Sequence, residues 1–149
     1  MRVGLLGGSF NPPHRGHVAI ALAVRDAMEL DEVLLIPASR PPHKPSNRDM
    51  ASPQDRLTMA ERAAADREGL GVSDIELRRQ GPSYTIDTIA ALKAERPEAT
   101  FFWIIGADTI GELPTWKRAE ELVREVAFVA VNRPGYDTDR GLAALFRKR

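Results

Sequence analysis

The chain has 149 residues, 43% hydrophobic and 28% charged, which suits one folded domain of about 100–200 residues and excludes a disordered or fibrous polymer. Its 21 Lys plus Arg balance 21 Asp plus Glu, so bulk attraction to polymeric nucleic acid or to an anionic membrane is not expected, and any phosphate recognition has to be local. The absence of cysteine excludes disulfides, thiolate metal sites and a Cys nucleophile, and the absence of a signal peptide or of an apolar run near the roughly 18 residues of a membrane span leads to an expected cytoplasmic location.

Val3 to Gly7 is a short apolar run that stops at Gly7-Gly8 and reads as a buried strand feeding a tight turn. From Gly16 to Met28, Val18, Ala21 and Leu22 recur at helical spacing between polar positions, so a helix follows the loop. Val33 to Ile36, closed by Pro37, suits a strand covered on both faces and completes a βαβ unit. Residues 37 to 51 hold four prolines and little core material, which marks a substrate loop. Ser52-Pro53-Gln54-Asp55 then opens a helix running to about Asp66, with a capping hydroxyl, Pro at the first helical position and a carboxylate where the dipole favours it.

Gly71 to Ile75 reads as a weak third strand, and Ser83 or Thr85 is expected to cap a helix from Ile86 to about Glu95. Thr100 to Ile105 is the clearest strand, followed by a broken segment with Leu113-Pro114-Thr115-Trp116 and a helix over Arg118 to Arg124. Val126 to Val131 is the fifth strand, and residues 136 to 149 suggest one short helix. Strands alternating with helices predict an α/β fold: a Rossmann-like, doubly wound parallel sheet. In such sheets ligands sit beyond the carboxyl ends of the strands, so the loops after each strand are expected to share one rim and one site.

The first loop, Gly7-Gly8-Ser9-Phe10-Asn11-Pro12-Pro13-His14-Arg15-Gly16-His17, lacks the Lys of a Walker A loop and the spacing of a dinucleotide fingerprint. The second strand also ends in Pro37-Ala38-Ser39 with no carboxylate for a ribose, which disfavours an NAD-dependent dehydrogenase. There remain a Gly pair that allows close backbone approach and two His, three residues apart, at the mouth of a helix, an arrangement that attracts anions. His43 is the only other His and neither Gly7 to His17 nor Pro37 to Lys44 carries a carboxylate, so zinc ligation is the weaker reading; Ser9 is not in a nucleophile elbow, so a hydrolase triad is weaker again. A bland reading, in which one His caps the helix or fills a gap, stands beside the phosphate-binding one.

The segment from Gly8 to His17 resembles the signature of the His-x-Gly-His nucleotidyltransferase superfamily, in the form carried by bacterial nicotinate-nucleotide adenylyltransferases. Pro41-Pro42-His43-Lys44, Ser83 to Thr88, Gly106-Ala107-Asp108 with Leu113 to Trp116, and Asn132-Arg133-Pro134 match that family in order. The resemblance implies transfer of AMP from ATP to nicotinate mononucleotide, giving deamido-NAD and pyrophosphate, with Mg²⁺ held mainly by substrate phosphates. It implies His14, His17 and Lys44 as catalytic phosphate ligands, and Gly7, Gly8, Ser9, Phe10, Gly106, Asp108 and Arg133 as ATP-binding residues. Tyr84, Thr85 and Trp116 would bind the nicotinate nucleotide, by backbone N–H groups at a helix start and by indole stacking. Each has a plainer alternative: a loop Lys in solvent, a helix cap at Thr85 or Asp108, a core Trp, a turn-bracing Arg133. For Arg56 the plainer reading, a solvated helix face, is preferred.

The family's second phosphate motif, Ile-Ser-Ser-Thr-x-x-Arg, has no counterpart after Val131. Residues 1–149 are therefore expected to form a single nucleotidyltransferase domain, C-terminally truncated, lacking its last strand and helices and leaving a sheet edge exposed. A related adenylyltransferase with another phosphorylated acceptor, or a non-catalytic nucleotide-binding chain, are the alternatives; the expected partners are the two nucleotides, and homo-oligomerisation stays open.

Overall fold

The apolar runs read as strands are buried on both faces, as a parallel sheet covered by helices requires. The structure, a computed structural model, describes residues 1–8, 10, 15–38, 51–79, 84–132 and 142–146. Its elements are β1 Arg2–Gly8, α1 Arg15–Ala27, β2 Glu32–Pro37, α2 Pro53–Ala64, β3 Leu70–Val72, α3 Thr85–Glu95, β4 Thr100–Gly106, a 3-10 segment Ala107–Thr115, α4 Ala119–Glu125, β5 Ala127–Val131 and β6 Leu142–Phe146. The sheet order is β3-β2-β1-β4-β5-β6, parallel from β3 to β5, which is the doubly wound α/β fold expected.

Period-two alternation sends each strand's side chains into two cores. Val3 and Leu5 of β1, Leu34 and Ile36 of β2, and Phe101, Trp103 and Ile105 of β4 pack with Ile86, Ile89 and Leu92 of α3 and Leu122 of α4. Their neighbours Leu6, Val33, Leu35, Phe102 and Ile104 face the other way, with Val18, Ala21 and Val24 of α1 and Ala60 and Ala64 of α2. A sheet covered on both faces is the reason these strands read as continuous apolar runs rather than alternating ones.

Helix boundaries follow the local chemistry in most places. Ser52 accepts the Asp55 N–H at 3.1 Å through its hydroxyl, with Pro53 opening α2, as expected. Three expectations are corrected. Tyr84 is the N-cap of α3 and no side chain caps it, so Thr85 is the first helical residue rather than a cap, while Ser83 lies outside the described residues. The third strand is Leu70–Val72, because after the Ser73 N–H bonds to the Leu35 carbonyl the chain turns at Asp74, whose carbonyl accepts from Leu77 and Arg78. The short helix expected near the C-terminus is instead, over Leu142–Phe146, a strand antiparallel to β5, with Phe128 opposite Phe146 and Val129 opposite Leu145. A five-residue apolar run fits either element, and the open backbone edge of β5, expected to stay exposed, offers the ladder bonds that decide for a strand.

Candidate active site

The strand order reverses between β1 and β4, so the crevice beyond their carboxyl ends is the switch point of the sheet. Register aligns the strand ends there: Gly8 lies beside Pro37, and Gly106 beside Val131. The loops after β1 and β4 thus open on one rim, together with the starts of α1 and the 3-10 segment.

Glycine at the end of β1 has a packing cause. A Cβ on Gly7 would lie 3.0 Å from the Trp103 indole of β4, so any side chain here would require the indole to shift. Phe10 follows in the left-handed region, φ 49°, a conformation that costs a non-glycine residue energy and that persists only where surrounding packing enforces it. Here the enforcement is burial: Phe10 is 2% exposed and meets the half-buried His17 edge-on, ring centroids 4.8 Å apart. Phe10 therefore orients the imidazole in the first turn of α1. Among the four described helices, α1 alone has no acidic residue in its first turn, whereas α2, α3 and α4 carry Asp55, Asp87 and Glu120 with Glu121. The N-terminal partial charge of α1 therefore meets no carboxylate from its own first turn, which suits an anion there.

Beyond β4 the chain tightens into the 3-10 segment, since Pro114 bars a continuing α-helix. Asp108, on its exposed side, folds back on Gly106, where a Cβ would meet its Oδ1 at 2.7 Å. Trp116 ends it, half-buried, with its ring tilted 58° to Phe128 at 6.3 Å. The core holds one part of the indole and leaves the rest at the rim. Next to it Lys117 places its Nζ 4.6 Å from the Tyr84 ring centroid and 3.7 Å from the Asp87 carboxylate. That pair offsets the one carboxylate in the first turn of α3, which would otherwise oppose an anion there. Lys117 was not foreseen, and no motif logic available in one sequence singles it out.

Arg56 is a second departure from expectation. Instead of a solvated helix face it is 1% exposed, donating from Nε to the Ala51 carbonyl at 3.0 Å and from a terminal nitrogen to the Ala38 carbonyl. Removal from water lowers its pKa. The spacing Arg56, Ala60, Ala64, one buried stripe at four-residue intervals, was the available signal. Behind α3 the buried Glu76 accepts the Thr88 hydroxyl at 2.7 Å, and Arg79 donates to the same hydroxyl at 3.5 Å, which ties the turn after β3 to the start of α3.

Of the residues expected at the site, Gly7, Gly8, Phe10, His17, Gly106 and Asp108 stand at the ends of β1 and β4, and Tyr84, Thr85 and Trp116 stand at the start of α3 and the end of the 3-10 segment. Ser9, His14, Lys44 and Arg133 lie outside the described residues. Among the described residues, no group of three or more His, Asp or Glu could hold a metal ion, and no helix is long and apolar enough to cross a membrane.

Residues 5–148 match the Cytidylyltransferase-like family. The chain is 45% identical over 138 residues to a probable nicotinate-nucleotide adenylyltransferase of Gloeobacter violaceus, covering 93% of this chain and 66% of the relative. It is 48% identical over 134 residues to one from Shouchella clausii, covering 90% and 69%. The chain thus spans about two thirds of the length of these curated relatives. Its fold is shared with the Plasmodium falciparum nicotinic acid mononucleotide adenylyltransferase complexed with NaAD, at a TM-score of 0.76 and 20% identity over 91% of this chain and 66% of that one. With a switch-point crevice framed by the glycines that end β1 and β4 and by a His-bearing helix start, and with these matches over nine tenths of its length, the chain belongs to the cytidylyltransferase-like family.

Proposed function

We propose that this chain transfers AMP from ATP to nicotinate mononucleotide, releasing pyrophosphate and forming deamido-NAD. The observation that carries the reading is the meeting of Gly7-Gly8, His17 at an acid-free helix start and Gly106-Asp108 at one switch point. In the step, a phosphate oxygen of nicotinate mononucleotide bonds to the α-phosphorus of ATP as the bond to pyrophosphate breaks. The nucleophile is already an anion, so the protein supplies position and charge stabilisation rather than a base.

His17, with His14, donates hydrogen bonds to phosphate oxygens as charge grows on them, and Lys44 adds a cation. Backbone groups of Gly7, Gly8, Ser9 and Phe10 approach the nucleotide, Asp108 accepts from ribose hydroxyls beside Gly106, and Arg133 approaches the adenine or the phosphates. At the other end Trp116 stacks on the pyridine ring, and the Tyr84 and Thr85 N–H groups take the nicotinate carboxylate, a group that nicotinamide lacks. Among the described residues the rim presents the exposed carboxylate of Asp108, a donor that suits a metal travelling with its substrate. When bound, Mg²⁺ held by the triphosphate and water offsets the charge of the departing pyrophosphate.

Pyrophosphate release from Mg·ATP, with nicotinate mononucleotide, nicotinamide mononucleotide and phosphopantetheine supplied separately, tests the proposal. Release that requires nicotinate mononucleotide is expected. Release with another acceptor would move the chain to a related transferase. The second reading is a nucleotide-binding chain without turnover, which ATP binding with no release in any arm would establish.

A further inference from the structure

A buried guanidinium loses its hydration and needs its N–H groups met, and Arg56 directs its donors in a specific way. Ala38 is the last described residue after β2 and Ala51 the first before α2, so one side chain donates to the two carbonyls that bracket residues 39–50. Ala38 in turn donates its N–H to the Gly8 carbonyl at 2.9 Å. The chain of bonds therefore runs from α2 through the end of β2 to Gly8 at the end of β1. A planar fork of five donors suits this task, where an ammonium offers one point of charge.

We propose that Arg56 is a positioning residue: its guanidinium ties Ala38, at the end of β2, to Ala51, before α2, and through Ala38 holds both to the end of β1. It touches no reacting atom. Residues 39–50 carry Lys44, so the kinetic consequence rests on the adenylyl-transfer reading, while the pinning itself does not.

The test uses the full 149-residue chain and Arg56→Lys, with Arg56→Gln as a second variant should the first not fold. One arm measures tryptic cleavage between Arg48 and Asp49 under native conditions, set against global stability from urea unfolding. Cleavage rising about tenfold more than the loss of global stability explains is expected, because only the local anchor is gone. A rise no larger than global unfolding accounts for would overturn the proposal. The second arm measures kcat/KM for Mg·ATP, alone and combined with Lys44→Ala. Arg56→Lys is expected to lower it about a hundredfold in the parent chain and far less once Lys44 is absent. Losses that simply multiply would overturn it, since a merely structural Arg56 acts independently of Lys44. A parent chain without turnover would sink the adenylyl-transfer reading, and the cleavage arm would still decide the role of Arg56.

Discussion

At the rim where the strands begin, polar groups are tied by contacts open to water. Arg96 pairs with Glu32, Lys93 with Glu125, and Arg2 donates its backbone N–H to Asp31. At the rim where they end, Arg56, Glu76 and Thr88 are 1, 5 and 0% exposed. Exposed pairs close turns and tolerate many geometries, each contributing little. Buried polar groups hold one geometry, because every alternative leaves a donor or acceptor without water. The contrast teaches where positional accuracy has been built into the sheet: around the loops after β1, β2 and β3, beside the switch point.

The comparison makes graded demands. The largest effect is expected for His17→Ala, which should cut turnover about 10²–10³-fold while circular dichroism and melting stay near the parent, as loss of a transition-state donor would. A near-native rate would remove His17 from the proposed chemistry. Thr88→Val deprives the buried Glu76 of its hydroxyl donor and should destabilise the chain by about 1–3 kcal/mol in urea unfolding. If it instead matched an exposed-pair mutant, the distinction between the rims would fail. Gly106→Ala places a Cβ where the Asp108 carboxylate now sits; the carboxylate swings away cheaply, so stability should hold while kcat/KM for ATP falls about tenfold.

Smallest is Glu125→Gln at the opposite rim. The hydrogen bond and charge of Lys93 lower the Glu125 pKa. A depressed carboxyl pKa adds stability at neutral pH that is lost as pH falls through the acidic range. Both groups are exposed, so screening reduces the gain, and the variant should only slightly flatten the acid limb of a stability-against-pH curve with turnover unchanged. A large drop at pH 7 would mean that the strand-start rim is not as tolerant as its exposure indicates.

Much was legible before any coordinates. The apolar runs Val3 to Gly7, Val33 to Ile36, Thr100 to Ile105 and Val126 to Val131 identified buried parallel strands, because a strand covered on both faces has no polar side to show. The glycine turn and the His-bearing helix start after β1 were equally local: backbone freedom, helix dipole and imidazole chemistry are properties of consecutive residues. Family membership followed from the same stretch, through motifs that each occupy a few adjacent positions.

What tertiary structure alone decided involves partners distant in sequence. Arg56 reads as solvated until β2 brings the Ala38 carbonyl to it, and Glu76 and Thr88 find one another across twelve positions. Lys117 matters only because α3 sets Asp87 and Tyr84 beside it. Leu142–Phe146 is a strand because β5 has an edge to pair with, a fact absent from its own five residues. Local propensity and turn chemistry determine which elements form and in what order; desolvation and hydrogen-bond satisfaction, which depend on everything packed nearby, determine which polar side chains are buried and what they hold in place.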